Sequence, residues 1–129
     1  MVKMKKLFVS VPMKGRTEEE IRKTIDKMKK IAEIFEGEEL ELIDSYIEDN
    51  PPKDKNQAIW FLGESLKKLA QADVFIGISD SWDWNGCQIE RETAERYGIK
   101  RYFISGGYVI DNYNELIEKH GVINVAAEK

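Results

Sequence analysis

The stretch Ala72-Asp73-Val74-Phe75-Ile76-Gly77-Ile78 decides the fold. From Val74 to Ile78 no side chain is charged or hydrogen-bonding, so a strand there must be covered on both faces. Strands of that kind belong to parallel sheets flanked by helices. The residues that follow agree. A polar loop over residues 79–85 leads into a helical pattern over 86–97, and Gly98 is placed as its left-handed cap.

Working toward the N-terminus, residues 56–70 read as a helix, with Ile59, Leu62, Leu66 and Leu69 as its apolar stripe. Trp60 and Phe61 in that helix cannot both face a core. Residues 40–43 form a second short strand that ends at Asp44-Ser45, and Pro51-Pro52 marks the loop between. Leu7-Phe8-Val9-Ser10-Val11 is a first strand, followed by the loop Pro12-Met13-Lys14-Gly15-Arg16. Thr17 and Glu20 have capping-box spacing, and Ile21, Ile25, Met28, Ile31, Ala32 and Phe35 recur at helical spacing up to Gly37. Toward the C-terminus, residues 101–104 read as strand four, 112–120 as a last helix and 122–125 as a fifth strand.

Strands and helices alternate throughout, so the sequence predicts an α/β fold: a doubly wound, Rossmann- or flavodoxin-like parallel five-stranded sheet with helices on both faces. The 129 residues suit a single domain over 1–129. Apolar residues make up 42% and charged residues 34%, which fits a globular chain and argues against disorder. The net charge of −4, with basic residues interspersed among acids, argues against nucleic acid as a partner. Lys3, Lys5 and Lys6 read as solvation of the first strand's entry. A single cysteine, Cys87, and a single histidine, His120, leave neither a disulfide nor a Cys/His zinc site to build. No apolar run is long enough for a membrane span or a signal segment, so a cytoplasmic setting is expected.

Ligands of such sheets bind beyond the carboxyl ends of the strands, near the switch in strand order. Three loops are nominated on that ground: residues 10–17, 44–56 and 79–86. Glu90 is the sharpest chemical candidate among the residues they lead to. Side chains lean toward a helix N-terminus, so Glu90 covers the surface near Gly86, where no side chain competes. The helix start favours an ionised carboxylate there, as it also does for any solvated first-turn acid. Trp82 and Trp84 suit either stacking on a base or packing over the loop. Cys87 reads as a small packing residue, and Asp73, at the amino end of its strand, reads as structural.

In order and spacing, Ala72-Asp73-Val74-Phe75-Ile76, the polar loop, Gly86-x-x-x-Glu90-x-x-x-Ala94 and Gly98-Ile99-Lys100 resemble the nucleoside 2-deoxyribosyltransferase superfamily, which includes the deoxynucleoside-monophosphate N-glycosidases. Phe8-Val9-Ser10 with Gly15-Arg16 is similar to its nucleotide-accepting branch. The run from Ser10 to Arg16, Pro51-Pro52, Trp60-x-Leu62-Gly63 and Gly86-Cys87 look like an uncharacterised bacterial and phage subfamily. The likeness covers most of residues 5–104. It implies that Glu90 attacks the anomeric carbon of a nucleoside or nucleotide and displaces the base, leaving a glycosyl-enzyme for water or a second base. Ser10, Gly15 and Arg16 would cradle a 5′-phosphate. Met13, Asp44, Ser65, Trp82, Asp83, Asn85 and Gly86 would complete the substrate site.

The resemblance implies no cofactor and no metal, and a homodimer or homotetramer for which Trp60 offers an apolar anchor. Two positions depart from the superfamily's pattern. Ser65 stands where an aspartate usually helps the departing base, and Trp84 stands where a polar residue usually lies. Two further readings therefore remain open at this stage: a non-catalytic module of the same fold that binds a nucleotide or ADP-ribose-like ligand, and an oligomeric scaffold.

Overall fold

The computed structural model describes residues 3–13, 15–44, 51–80 and 84–120. Along the chain run β1 (Lys6–Val9), α1 (Glu18–Glu36), β2 (Glu41–Leu42), α2 (Gln57–Leu69), β3 (Val74–Ile78), α3 (Asn85–Arg96), β4 (Lys100–Ile104), α4 (Gly106–Val109) and α5 (Tyr113–His120). The sheet is parallel throughout, in the order β2-β1-β3-β4. The strand order reverses between β1 and β3, which makes that pair the switch point. Among the described residues the sheet has four strands where five were expected. The expected fifth, at 122–125, lies outside the described residues. β2 is also shorter than expected: Glu41 and Leu42 pair with Lys6 and Leu7, and Ile43 adds one bond from its backbone N to Leu7 O at 2.9 Å.

Every residue of β3 is buried, as its composition requires. Alternation along β1 and β3 then sorts the core into two layers. Leu7, Val9, Val74, Ile76 and Ile78 face α1, joining Ile21, Ile25, Met28 and Ala32 along with Val109 and Tyr113. Phe8 and Phe75 face the other way, with Leu69 of α2 and Ala94 of α3. Phe8 pairs directly with Phe75 across the ladder, and their rings stack at 6.0 Å. Helices therefore cover both faces. Each of these fully buried aromatic side chains contributes on the order of 2–3 kcal/mol of apolar burial. Among the described residues no helix is long and apolar enough to cross a membrane.

The helix ends follow from local chemistry. The hydroxyl of Thr17 accepts from Glu20 N while Glu20 accepts from Thr17 N, which completes the expected capping box. Gly37 closes α1 in the left-handed region at φ +74°. After α3, Ile99 N donates to Ala94 O and Gly98 N to Glu95 O, a Schellman turn that needs Gly98 at φ +72°. Asp73 ties the strand entries together, its backbone N donating to Lys6 O and its carboxylate accepting from Lys6 N, both at 2.8 Å. Two apolar stripes are narrower than their spacing suggests. Ile59 of α2 is 66% exposed and Phe35 of α1 is 51% exposed, the latter lying against Tyr102.

The turn after β4 is built around Asp80. Its carboxylate accepts from Gly106 N at 2.9 Å and its carbonyl accepts from the Tyr113 hydroxyl at 3.2 Å. A Cβ on Gly106 would lie 2.2 Å from the Tyr113 ring, which is itself buried beside Trp84. Gly106→Ala is therefore expected to cost about 2–3 kcal/mol through displacement of that ring, measured as a lowered denaturation midpoint.

At the amino edge of the sheet, Glu36 ends α1 on the unfavourable side of its dipole, and a local network compensates. Lys100 Nζ lies 2.6 Å and Lys5 Nζ 3.2 Å from its carboxylate, and the Tyr102 hydroxyl donates at 2.7 Å. The bond from Lys100, then that from Tyr102, hold this carboxyl down to about 2 from its ordinary 4.5. A folded value below the unfolded one stabilises the protein at neutral pH, and that stability is lost as pH falls from about 4.5 toward 2. Both lysines are substantially exposed, so Glu36→Gln is expected to cost only about 1–2 kcal/mol at pH 7. The gap to wild type should close on acidification in a series of thermal melts.

Candidate functional site

The two-layer core places three polar side chains together. Ser10 follows β1 and shares the face of Phe8, while its backbone N extends the β1–β3 ladder by donating to Ile76 O at 2.9 Å. Ser65 lies one turn before Leu69 on the buried side of α2. Glu90 lies one turn before Ala94 on the buried side of α3. The α2–α3 layer thus turns both helices toward Ser10 at the carboxyl end of β1, at the switch point.

The resulting contacts are specific. Ser10 Oγ donates to Glu90 Oε1 at 2.6 Å, and Ser65 Oγ donates to Glu90 Oε2. Each carboxylate oxygen is held by one hydroxyl. Ser10, Ser65 and Glu90 are 2%, 7% and 9% exposed, so the carboxyl reaches solvent only marginally. Burial pushes its pKa above the ordinary carboxylate value, and the hydroxyls of Ser10 and Ser65 pull the other way without cancelling that rise. Among the described residues no charged side chain acts on it. The expectation that the helix start sets its ionisation is corrected here. Glu90 lies in the second turn of α3, beyond the reach of most of the dipole, and burial decides.

Chemically, such a carboxyl has two uses. Ionised, it is a poorly solvated and therefore reactive nucleophile or base, oriented by its hydroxyl pair. Protonated, it is a weaker acid than an ordinary carboxyl and a proton donor.

The other expected site residues divide sharply. Asn85 and Gly86 are exposed at the start of α3, and a Cβ on Gly86 would meet nothing within 4 Å. The open surface one turn from Glu90 is thus present. Ser10 is turned to Glu90, so its hydroxyl is engaged in the site rather than set out as a phosphate donor. Arg16 is directed inward as well. Its guanidinium donates to Pro12 O at 2.9 Å, Glu20 O at 3.2 Å and Thr24 Oγ1 at 2.6 Å. Here Arg16 braces the β1–α1 loop, because the buried Thr24 hydroxyl and the loop carbonyl lie within its span.

Gly15 is exposed at φ +75°, and Met13 is half-buried against the α1-side core. Asp44 is engaged elsewhere: its carboxylate lies 3.4 Å from Arg22, and its carbonyl accepts from Lys68. Of its two readings, stacking on a base or packing, Trp84 takes the second: it is 8% exposed and packs with Tyr113 in the α1-side core. Trp82 and Asp83 lie outside the described residues. Cys87 is buried in the same core, in keeping with a packing role.

Two shallow hollows lie among the described residues, both on the α1 side. One is lined by Gly15, Arg16, Ile110, Asn112 and Leu116, its neighbour by Lys23, Thr24, Lys27, Val109 and Asp111. Asp111 is paired with Lys23 at 2.7 Å and Lys27 at 3.3 Å, so the cations of the second hollow are balanced. Neither hollow is lined by Glu90.

Sequence reasoning found Glu90, Ser10 and Ser65 but not their mutual bonds. The signal for Ser65 was available, since it is a hydroxyl inside the stripe Leu62, Leu66, Leu69 and must be answered there. Ser10 likewise alternates in register with Phe8.

No protein-family model matches the chain, and no curated protein does. Among solved structures it is similar to a conserved protein from Enterococcus faecalis V583, with a TM-score of 0.52 and 15% sequence identity. The superposition covers 77% of this chain and 62% of that one. At that identity the likeness is one of fold alone: a parallel α/β sheet between helical layers.

Proposed function

We propose that this chain is an enzyme that cleaves the N-glycosidic bond of a nucleoside or nucleoside 5′-monophosphate, as an N-glycosidase or a deoxyribosyltransferase. Glu90 is the nucleophile and carries the sugar as a covalent intermediate. The observation that carries this reading is the Glu90 carboxyl at the β1–β3 switch point, bonded by one hydroxyl on each oxygen and met by no charge among the described residues. A carboxylate so oriented attacks an anomeric carbon, and the ester it forms is then opened by water or by a second base. The sequence resemblance supports the same residue in the same role. Ser10 and Ser65 position the nucleophile.

A second reading has one observation in its favour. Both Glu90 oxygens are already bonded and little exposed, which suits a module that binds a nucleotide or ADP-ribose-like ligand without turnover. Intact-mass spectrometry of protein quenched during incubation with a 2′-fluoro-2′-deoxynucleoside separates the two, since the fluorine slows release of the sugar. A sugar adduct mapped to Glu90 is expected. Ligand-induced thermal stabilisation with no adduct and no free base would favour the binding module. The chain acts as a homodimer or homotetramer in this reading. The half-buried Trp60 and Phe61, in edge contact at 5.2 Å beside exposed Ile59, supply an apolar anchor on α2. A light-scattering mass equal to one chain would oppose it.

A further inference from the structure

We infer that the site is built for N-glycosides whose departing base is already a cation, namely pyridinium ribosides and N7-alkylated purine nucleosides. The inference rests on the proposed nucleophilic role of Glu90 and names its substrate class.

Two observations carry it. The first is the missing counter-charge. Glu90 is buried with two neutral hydroxyls for partners, and among the described residues no cation acts on it. Ionising a carboxyl there is costly unless a positive charge arrives with the ligand. A cationic glycoside brings that charge to the face it presents to the nucleophile. Attack then brings opposite charges together and cancels both, a change that a poorly solvated site favours. A neutral nucleoside offers no such compensation.

The second observation concerns the leaving group. A neutral base departs as an anion unless an acid protonates it. The residue that α2 turns to the site is Ser65, and its proton is given to Glu90 Oε2. The neighbouring acid, Glu64, is paired with Lys67 at 3.0 Å. α2 therefore supplies no proton to a departing base. A cationic base needs none. The Glu90 Oε–C1′ bond forms, the C1′–N bond breaks, and its electron pair neutralises the ring nitrogen, so the base leaves uncharged. Water next attacks C1′, the ester C–O bond breaks with its pair returning to Glu90, and the water's proton passes to solvent.

The test uses matched pairs, each as the nucleoside and as its 5′-monophosphate: 7-methylguanosine against guanosine, and nicotinamide riboside against its neutral reduced form. Free base is measured by chromatography, and each kcat/KM is divided by the uncatalysed rate to remove the intrinsic lability of the cations. The cationic member is expected to exceed its neutral partner by about 100-fold or more, the size of one general-acid contribution. Thermal shifts are read in parallel. The cationic members should stabilise wild type, and Glu90→Gln should erase that selectivity. Equal normalised rates within each pair would overturn this inference and leave the glycosidase reading intact. No cleavage of any member would sink the glycosidase reading. In that event this inference falls with it, and a thermal shift confined to the cations would mark a cation-binding module instead.

Discussion

Replacing Glu90 with glutamine is expected to abolish base release, by on the order of 10⁴-fold or more, while raising the melting temperature at neutral pH. The two effects have one cause. The carboxyl is buried without a counter-charge and held only by Ser10 and Ser65, so its ionised form is expensive in the fold and reactive for the same reason. Glutamine preserves its shape, and either serine hydroxyl can turn to accept from the amide. The variant therefore keeps the packing and loses both the proposed nucleophile and the cost of its charge.

The sign of the pH dependence follows. Below the ordinary carboxylate value of 4.5, Glu90 is protonated in both folded and unfolded chains and the variant gains nothing. Above it the unfolded chain releases the proton more readily, because the folded value is raised. Wild type thus loses stability relative to the variant until pH passes the folded value, after which the difference is constant. Thermal melts of both proteins across pH check this. A variant less stable than wild type at neutral pH would contradict it.

Ser10→Ala and Ser65→Ala are expected to act through the same carboxyl. Each removes one of the two donors that oppose the rise in its pKa, so each should raise that value further. Each substitution is expected to cost about 1–3 kcal/mol, since it takes a hydrogen bond from a buried acceptor. If ionised Glu90 is the nucleophile, kcat/KM falls on the acid side of its profile, and that limb should move to higher pH in both variants. A loss of about 10- to 100-fold at neutral pH is expected from the shift together with the lost orientation. An acid limb that stays in place while the rate falls would mean the serines serve packing alone. The two changes share one partner, so their combined effect should not be additive.

The fold was legible because its decisive elements carry redundant signals. Val74 to Ile78 is apolar at every position, Thr17 and Glu20 have the spacing of a capping box, and Gly37 and Gly98 occupy left-handed turns. Those features depend on residues close in sequence. Misreadings arose where distant packing decides. Ile59 and Phe35 fit their helical stripes by spacing, yet both side chains are exposed in the fold. Trp84 suits stacking or packing by its sequence alone, and the contact with Tyr113, whose hydroxyl donates to Asp80 O, decides for packing.

The candidate site divides in the same way. Glu90 and Gly86 share one helix turn and could be read together from spacing. The bonds joining Ser10, Ser65 and Glu90 span 80 and 25 residues, and no local pattern encodes them. Arg16 illustrates the converse. A cation beside a glycine at a helix start reads as a phosphate contact, but Thr24, two turns along the same helix, and the carbonyls of Pro12 and Glu20 engage it first.

The central claim is that Glu90 breaks a glycosidic bond, and chromatography of free base tests it most directly. Wild type and Glu90→Gln are incubated side by side with the matched nucleosides and their 5′-monophosphates. Base is expected to be released by wild type alone. Equal release by both proteins, or release by neither, would contradict it.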